Sequence, residues 1–183
     1  MIYRTVNGVW PSDLVGGIHT GDAVSVMRTI PDESIALIVT SPPYWDVVDY
    51  QVEGQLGPGS YEAFLGGLHS VWTEAARVLI PNGKLAINSP IMPIAKSAIR
   101  NQHTRHLKNI AFDIDYSILY GLESMGVKGA GPISEFHRYS TFIWQKQTSK
   151  KMFGSYPYPP NIFEDNTIEF INVYVKDGPP PSV

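Results

Sequence analysis

Residues 36–50 read ALIVTSPPYWDVVDY, and the chemistry of this chain concentrates at Ser41, Pro42, Pro43 and Tyr44, directly behind an apolar run. Two consecutive prolines hold the backbone extended and donate no N–H, so the main chain around Pro42 and Pro43 presents carbonyl oxygens. The Ser41 hydroxyl stands beside them, and Tyr44 adds a flat aromatic face. An acceptor-rich wall next to a planar ring suits a ligand with two N–H donors on one atom. Such a ligand is an aromatic amine, held edge-on by its amino group and face-on by its ring. A bare Pro-Pro pair reads more simply as a strand terminator whose aromatic neighbours pack the core. The full order of apolar strand, small hydroxyl residue, Pro-Pro and Tyr reverses that preference.

The surrounding elements must hold this segment in place. IALIVT (35–40) is a continuous apolar, β-branched run, the pattern of a central parallel strand covered on both faces. In open α/β sheets ligands sit at the carboxyl ends of the strands, where SPPYW stands. Upstream, GGIHTGD (16–22) predicts a short strand and a turn, with Asp22 capping a helix over AVSVMRTI (23–30). Downstream, Ser60 is placed to cap a helix from Tyr61 to Leu79. Its apolar positions Phe64, Leu65, Leu68, Trp72, Ala75, Ala76 and Leu79 keep the 3–4 spacing of one buried face. PNG (81–83) stops that helix before a strand over KLAINS (84–89). Strand, helix, strand in this order gives an α/β sheet with right-handed crossovers and flanking helices. A second amphipathic helix is predicted over 113–126, and strands over 138–145 and 166–176 can pair antiparallel. Between those strands lies the aromatic, proline-rich KMFGSYPYPPN (151–161), and residues 177–183 read as a Pro-rich, linker-like end.

The 183 residues, 43% hydrophobic and 17% charged, fit one soluble domain over residues 1–183. No apolar run approaches the roughly 18 residues of a membrane span, and the N-terminus lacks a signal-peptide pattern. With no cysteine, disulfides, thiolate metal sites and a cysteine nucleophile are excluded. The net charge of −3 is segregated: residues 1–95 hold 4 basic and 9 acidic side chains, and residues 96–151 hold 9 basic and 4 acidic. The basic segment, with Lys96, Arg100, Arg105 and Lys108, is either a phosphate-binding face or a solvated loop. His103 and His106 are three apart but have no acidic or cysteine partner nearby, so no metal is expected.

TSPPYW resembles the catalytic motif of the S-adenosylmethionine-dependent DNA amino methyltransferases, which make N4-methylcytosine or N6-methyladenine. HTGDAVSVMRTIPDESIALIVTSPPYW, GQLGPGSYEAFLGGLHSVWTEAARVLIPNGKLAIN, RYSTFIWQK and GSYPYPPNIFEDNTIEFINVYVK resemble consecutive blocks of the permuted, beta-type enzymes, over roughly residues 16–176. In these the catalytic half precedes the cofactor half. The resemblance implies part of a Rossmann-like methyltransferase sheet, with Ser41, Pro42, Pro43 and Tyr44 catalytic and a target base flipped out of double-stranded DNA. The absence of cysteine fits an exocyclic nitrogen target and not cytosine carbon-5, whose methylation runs through a cysteine adduct. Ser at the first motif position goes mostly with N4-cytosine in this family, whereas Asp or Asn goes mostly with N6-adenine.

Further roles follow from the same likeness. Asp22 matches an acidic residue near the cofactor's adenosine, and equally a plain helix cap. Trp45, Tyr156 and Tyr158 are candidates for contact with the target base; a proline-packed turn explains the two tyrosines as well. The aromatic-x-Gly-x-Gly cofactor loop of the family has no counterpart in the sequence, FLGGLHS (64–70) lying within a helix pattern. The cofactor site is therefore expected to be completed by a second polypeptide or a further C-terminal segment, without which an apolar strand edge stays open. The expected activity is N4-cytosine methylation of DNA, in the cytoplasm of a microbe or in a phage setting, as in restriction–modification. N6-adenine methylation and a non-catalytic DNA-binding or assembly subunit are the alternatives.

Overall fold

Asp22 starts the first described helix as its position suggested. In the computed structural model, which describes residues 15–45, 49–57, 59–93, 107–146, 152–154, 162–164 and 168–180, its Oδ1 accepts the Ser25 backbone N–H at 2.8 Å, opening α1 (Ala23–Met27). The residues before it do not form the expected strand: 17–20 are irregular and exposed, because no described strand lies beyond β1 (Ile35–Thr40) for them to pair with. Ser60 caps α2 (Tyr61–Val78) by accepting the Ala63 N–H at 3.1 Å, and the predicted apolar face of α2 is buried. The helix ends without a loop. Leu79 turns extended and begins β2 (Leu79–Pro90) at once.

PNG therefore lies inside a strand and does not precede one. Pairing of β1 with β2 is parallel and jumps from Ile35–Leu79 to Leu37–Lys84, so the segment between forms a bulge, with Asn82 at φ 62°. A Cβ on Gly83 would meet the Ile80 carbonyl oxygen at 2.8 Å, which reserves that position for glycine.

After the short pair β3 (Met92–Pro93) and β4 (Leu107–Lys108), Asn109 caps α3 (Ile110–Tyr120), accepting the Phe112 N–H at 3.3 Å. This helix starts and stops earlier than the predicted 113–126. Gly121, at φ 83°, ends it where a Cβ would clash with Gly131 at 2.5 Å; a 3-10 turn (Glu123–Met125) follows. Then come β5 (Phe136–Gln145), β6 (Met152–Gly154), β7 (Ile162–Glu164) and β8 (Ile168–Lys176). β5 and β8 pair antiparallel as expected, and the main sheet has the order β1-β2-β8-β5.

One face of this sheet packs on α2 and α3 around Trp72, Phe64, Leu85, Ile87, Ile114 and Tyr174. β1 is not central among the described residues. It lies at the edge, pairs only with β2, and leaves Leu37 58% and Val39 71% exposed. By register, Val39 lies in line with Ala86 and Val173, on the face away from α3. Exposed Phe142 and Trp144 alternate on to that same face. The apolar composition of IALIVT, read as cover on both faces, is met by cover on one.

A buried carboxylate locks α3 to the sheet. Asp115, 4% exposed, accepts the Tyr174 hydroxyl at 3.0 Å and the Arg138 Nε–H at 3.0 Å, with a second contact to Arg138 Nη2. Burial, and then the Asp115 charge, push the Tyr174 phenol far above its ordinary value, so it stays a donor. Asp115→Ala leaves that buried hydroxyl without its acceptor and should cost about 1–3 kcal/mol in urea denaturation. An unchanged unfolding midpoint would show that the contact contributes nothing.

Candidate active site

Ser41 leaves the carboxyl end of β1 into solvent, Pro42 is buried, and Pro43 and Tyr44 are half-buried. The segment thus stands where an open sheet presents ligands. The Tyr44 ring packs against the rim of the core, and its hydroxyl is the hub of a polar cluster. Ser41 Oγ lies 3.1 Å from the Tyr44 oxygen. Tyr44 donates to Glu169 Oε2 at 3.0 Å, and Asn88 Nδ2 donates to the same carboxylate oxygen at 2.5 Å and to Tyr44 at 3.2 Å. Lys146 Nζ donates to Glu169 Oε1 at 2.9 Å.

Three strands meet here. Asn88 comes from β2, Glu169 from β8, and Lys146 directly follows β5, so the motif is tied across the sheet to residues as far as 125 positions away. Glu169 is 5% exposed. Burial pushes its carboxyl up, but hydrogen bonds from Lys146, Asn88 and Tyr44, with the Lys146 charge, outweigh this and hold it below the usual range. Burial is the largest effect on the Tyr44 phenol and raises it; the Ser41 hydrogen bond opposes this, Glu169 raises the phenol further, and Asn88 lowers it least, so the net direction is upward. At neutral pH the cluster is therefore a carboxylate facing a protonated phenol.

Sequence reading missed Glu169, Asn88 and Lys146. Two of them carried a signal: an acidic residue within TIEFINVYVK and an amide within KLAINS interrupt apolar strands, and a buried polar side chain needs partners.

The other expected residues are dispersed. Trp45, at φ 52°, packs edge-on against Tyr61 with ring centroids 5.1 Å apart, and its buried Nε1 has no partner among the described residues. Lys108 holds its ammonium 3.9 Å from the centre of the Tyr61 ring, while the Tyr61 hydroxyl donates to Asp113 at 2.6 Å. Lys96, Arg100, Arg105, His103, His106, Tyr156 and Tyr158 lie outside the described residues. Asp22 is exposed; hydrogen bonds from the Ser25 N–H and hydroxyl hold its carboxyl below the ordinary value, so it is an ionised helix cap. Asp22 and Ser41 are both exposed. Among the described residues no group of three His, Asp or Glu side chains is placed to hold a metal.

Comparison with known proteins places the chain in a family. Residues 35–182 match the N6/N4 methyltransferase family model, described as DNA methylase. The Type II methyltransferase M.Cfr9I of Citrobacter freundii is 44% identical over 80 residues, covering 43% of this chain and 27% of its own. M.MthZI of Methanothermobacter thermautotrophicus is 29% identical over 173 residues, covering 84% of this chain and 42% of its own. Among solved structures, a protein of Thermus thermophilus assigned as a DNA modification methylase and complexed with S-adenosyl-L-methionine superposes with a TM-score of 0.60. It is 30% identical and covers 90% of this chain and 57% of its own. The chain thus spans less than half the length of these two relatives and somewhat over half of the solved one. Its sheet is of the Rossmann-like methyltransferase kind, and the chain belongs to the N6/N4 DNA methylase family.

Proposed function

We propose that this chain carries the base-binding side of a DNA methyltransferase that moves a methyl group from S-adenosylmethionine to the exocyclic N4 of a flipped-out cytosine. The observation that carries the reading is the exposed Ser41 hydroxyl, held 3.1 Å from the Tyr44 oxygen at the open end of β1 and followed by Pro42. Extruding the base costs a few kcal/mol. Stacking on the Tyr44 ring would return roughly 1–3 kcal/mol. The amino nitrogen of cytosine is a poor nucleophile because its lone pair is delocalised into the ring. Hydrogen bonds from its two N–H groups to Ser41 Oγ and the Pro42 carbonyl draw the nitrogen toward a tetrahedral shape and localise that pair. Positioning and electrostatics then supply the rate, without a covalent enzyme adduct. S-adenosylmethionine, when bound, supplies an electrophilic methyl group. The serine at position 41 supports cytosine; N6-adenine is the alternative with the same geometry.

The cofactor side is completed, on this reading, along β1. Its outer edge has no partner strand among the described residues, and Leu37 and Val39 present apolar surface beside it. A polypeptide segment carrying a glycine loop would pair there and cover them. The basic segment around Lys96, Arg100, Arg105 and Lys108 would meet DNA phosphates, and Tyr156 and Tyr158 would border the base. Relatives of the Type II class support a restriction–modification role, and the setting we propose for it is a microbial cytoplasm or a phage. No described helix is long and apolar enough to cross a membrane.

Incubation of the protein with methyl-labelled S-adenosylmethionine, DNA and an extract of its own host, followed by digestion to nucleosides, tests the base. Label added by this chain should appear in N4-methyldeoxycytidine. Label in N6-methyldeoxyadenosine would establish the alternative, and no chain-dependent label would establish a non-catalytic subunit. In the same assay Tyr44→Ala should lower transfer by about 5- to 150-fold, the equivalent of the stacking energy. Normal turnover would remove Tyr44 from base binding.

A further inference from the structure

We propose that Glu169 is a positioning residue that sets the direction of the hydrogen-bond chain Ser41–Tyr44–Glu169, so that Ser41 gives its proton inward and offers only lone pairs outward. The inference rests on the reading of Ser41 as the group facing a target amine, and deepens it. It follows from counting protons.

A tyrosine hydroxyl has one proton, and an ionised carboxylate has none to give. Tyr44 lies 3.0 Å from Glu169 Oε2, so the phenol proton is committed to that carboxylate. The phenol oxygen can then only accept. It takes one hydrogen bond from Asn88 Nδ2 at 3.2 Å, which leaves the contact with Ser41 Oγ at 3.1 Å to be donated by the serine. Once its proton points at Tyr44, Ser41 turns acceptor lone pairs toward solvent. An exocyclic amine offers donors, so this is the polarity that binds it; a serine pointing its proton outward would set hydrogen against hydrogen.

Lys146 is part of the same device. Its ammonium, 2.9 Å from Glu169 Oε1, supports the buried carboxylate in its acceptor-only form. Hydrogen bonds to an ionised acceptor are about twice as strong as neutral ones, so the commitment of the Tyr44 proton is firm. Glu169 never touches the substrate on this account. A glutamine in its place could donate to the Tyr44 oxygen, freeing the phenol proton to turn toward Ser41 and the serine proton to turn outward.

The direction of the chain is measurable without turnover. Tyr44 is replaced by 3-fluorotyrosine, whose phenol is more acidic than that of tyrosine, and followed by fluorine NMR against pH. If Ser41 donates to the phenol oxygen, it stabilises the phenolate, and Ser41→Ala should move the titration to higher pH. A titration that moves to lower pH or not at all overturns the proposal. Because a serine hydroxyl can rotate to face a phenolate, the direction in the protonated state is read by neutron diffraction of the deuterated protein: a Ser41 deuteron on the line to the Tyr44 oxygen is expected, and a Tyr44 deuteron on the line to Ser41 overturns the proposal. Glu169→Gln removes a neighbouring negative charge and an acceptor, so the titration should move to lower pH; an unmoved titration denies Glu169 its role. Ser41 is exposed, so Ser41→Ala keeps the test valid even if Glu169→Gln fails to fold. Nucleoside analysis decides the methylation reading separately: a chain running from Ser41 to Glu169 with no methylated product would sink that reading alone.

Discussion

A carboxylate almost out of solvent survives only if its oxygens are paired, and Glu169 satisfies that condition by drawing the Ser41–Tyr44 segment onto the sheet. Its two oxygens take donors from Tyr44, Asn88 and Lys146, contributed by the loop after β1, by β2 and by the end of β5. The Pro-Pro backbone cannot supply N–H groups to anchor itself, so the anchor passes to the tyrosine that follows. Removing a partner from such a buried charge is expensive, whereas the assembled cluster is rigid. On the proposed reading, that anchoring is what gives the exposed Ser41 one orientation.

Asp115 plays the corresponding part on the opposite face. It joins α3 to β8 and β5 through Tyr174 and Arg138, so the sheet carries one buried carboxylate toward its helices and one toward the β1 loop. Glu169 and Asp115 both bond to β8 or extend from it, which makes that strand the spine of the described structure. Against this firm centre the edge at β1 is open and apolar. The Glu169 cluster thus stands close to a strand edge that has no partner among the described residues.

Local elements were legible in the sequence because their signals are local. Asp22 and Ser60 cap the helices they were expected to cap, the buried face of α2 follows its spacing, and β5 pairs β8. The place of the Ser41–Tyr44 segment at a strand end was legible from the apolar run before it. The position of β1 was not, since an apolar β-branched run records the need for cover and not who provides it. PNG misled because its turn chemistry was used for a bulge, with Asn82 and Gly83 supplying the unusual backbone inside a continuous strand. The Glu169 cluster was invisible for another reason. Its members are 125 residues apart in the case of Tyr44 and Glu169, and a hydrogen bond over that separation leaves only an out-of-place acid in an apolar strand.

The claim that this chain holds the base side of the site and lacks the enclosing cofactor side meets its most direct test in calorimetric titration of S-adenosylmethionine into the purified 183-residue chain. The open edge of β1 predicts no saturable binding. Saturable binding in the micromolar range would contradict the account, because it would mean that these residues build a complete cofactor site of their own.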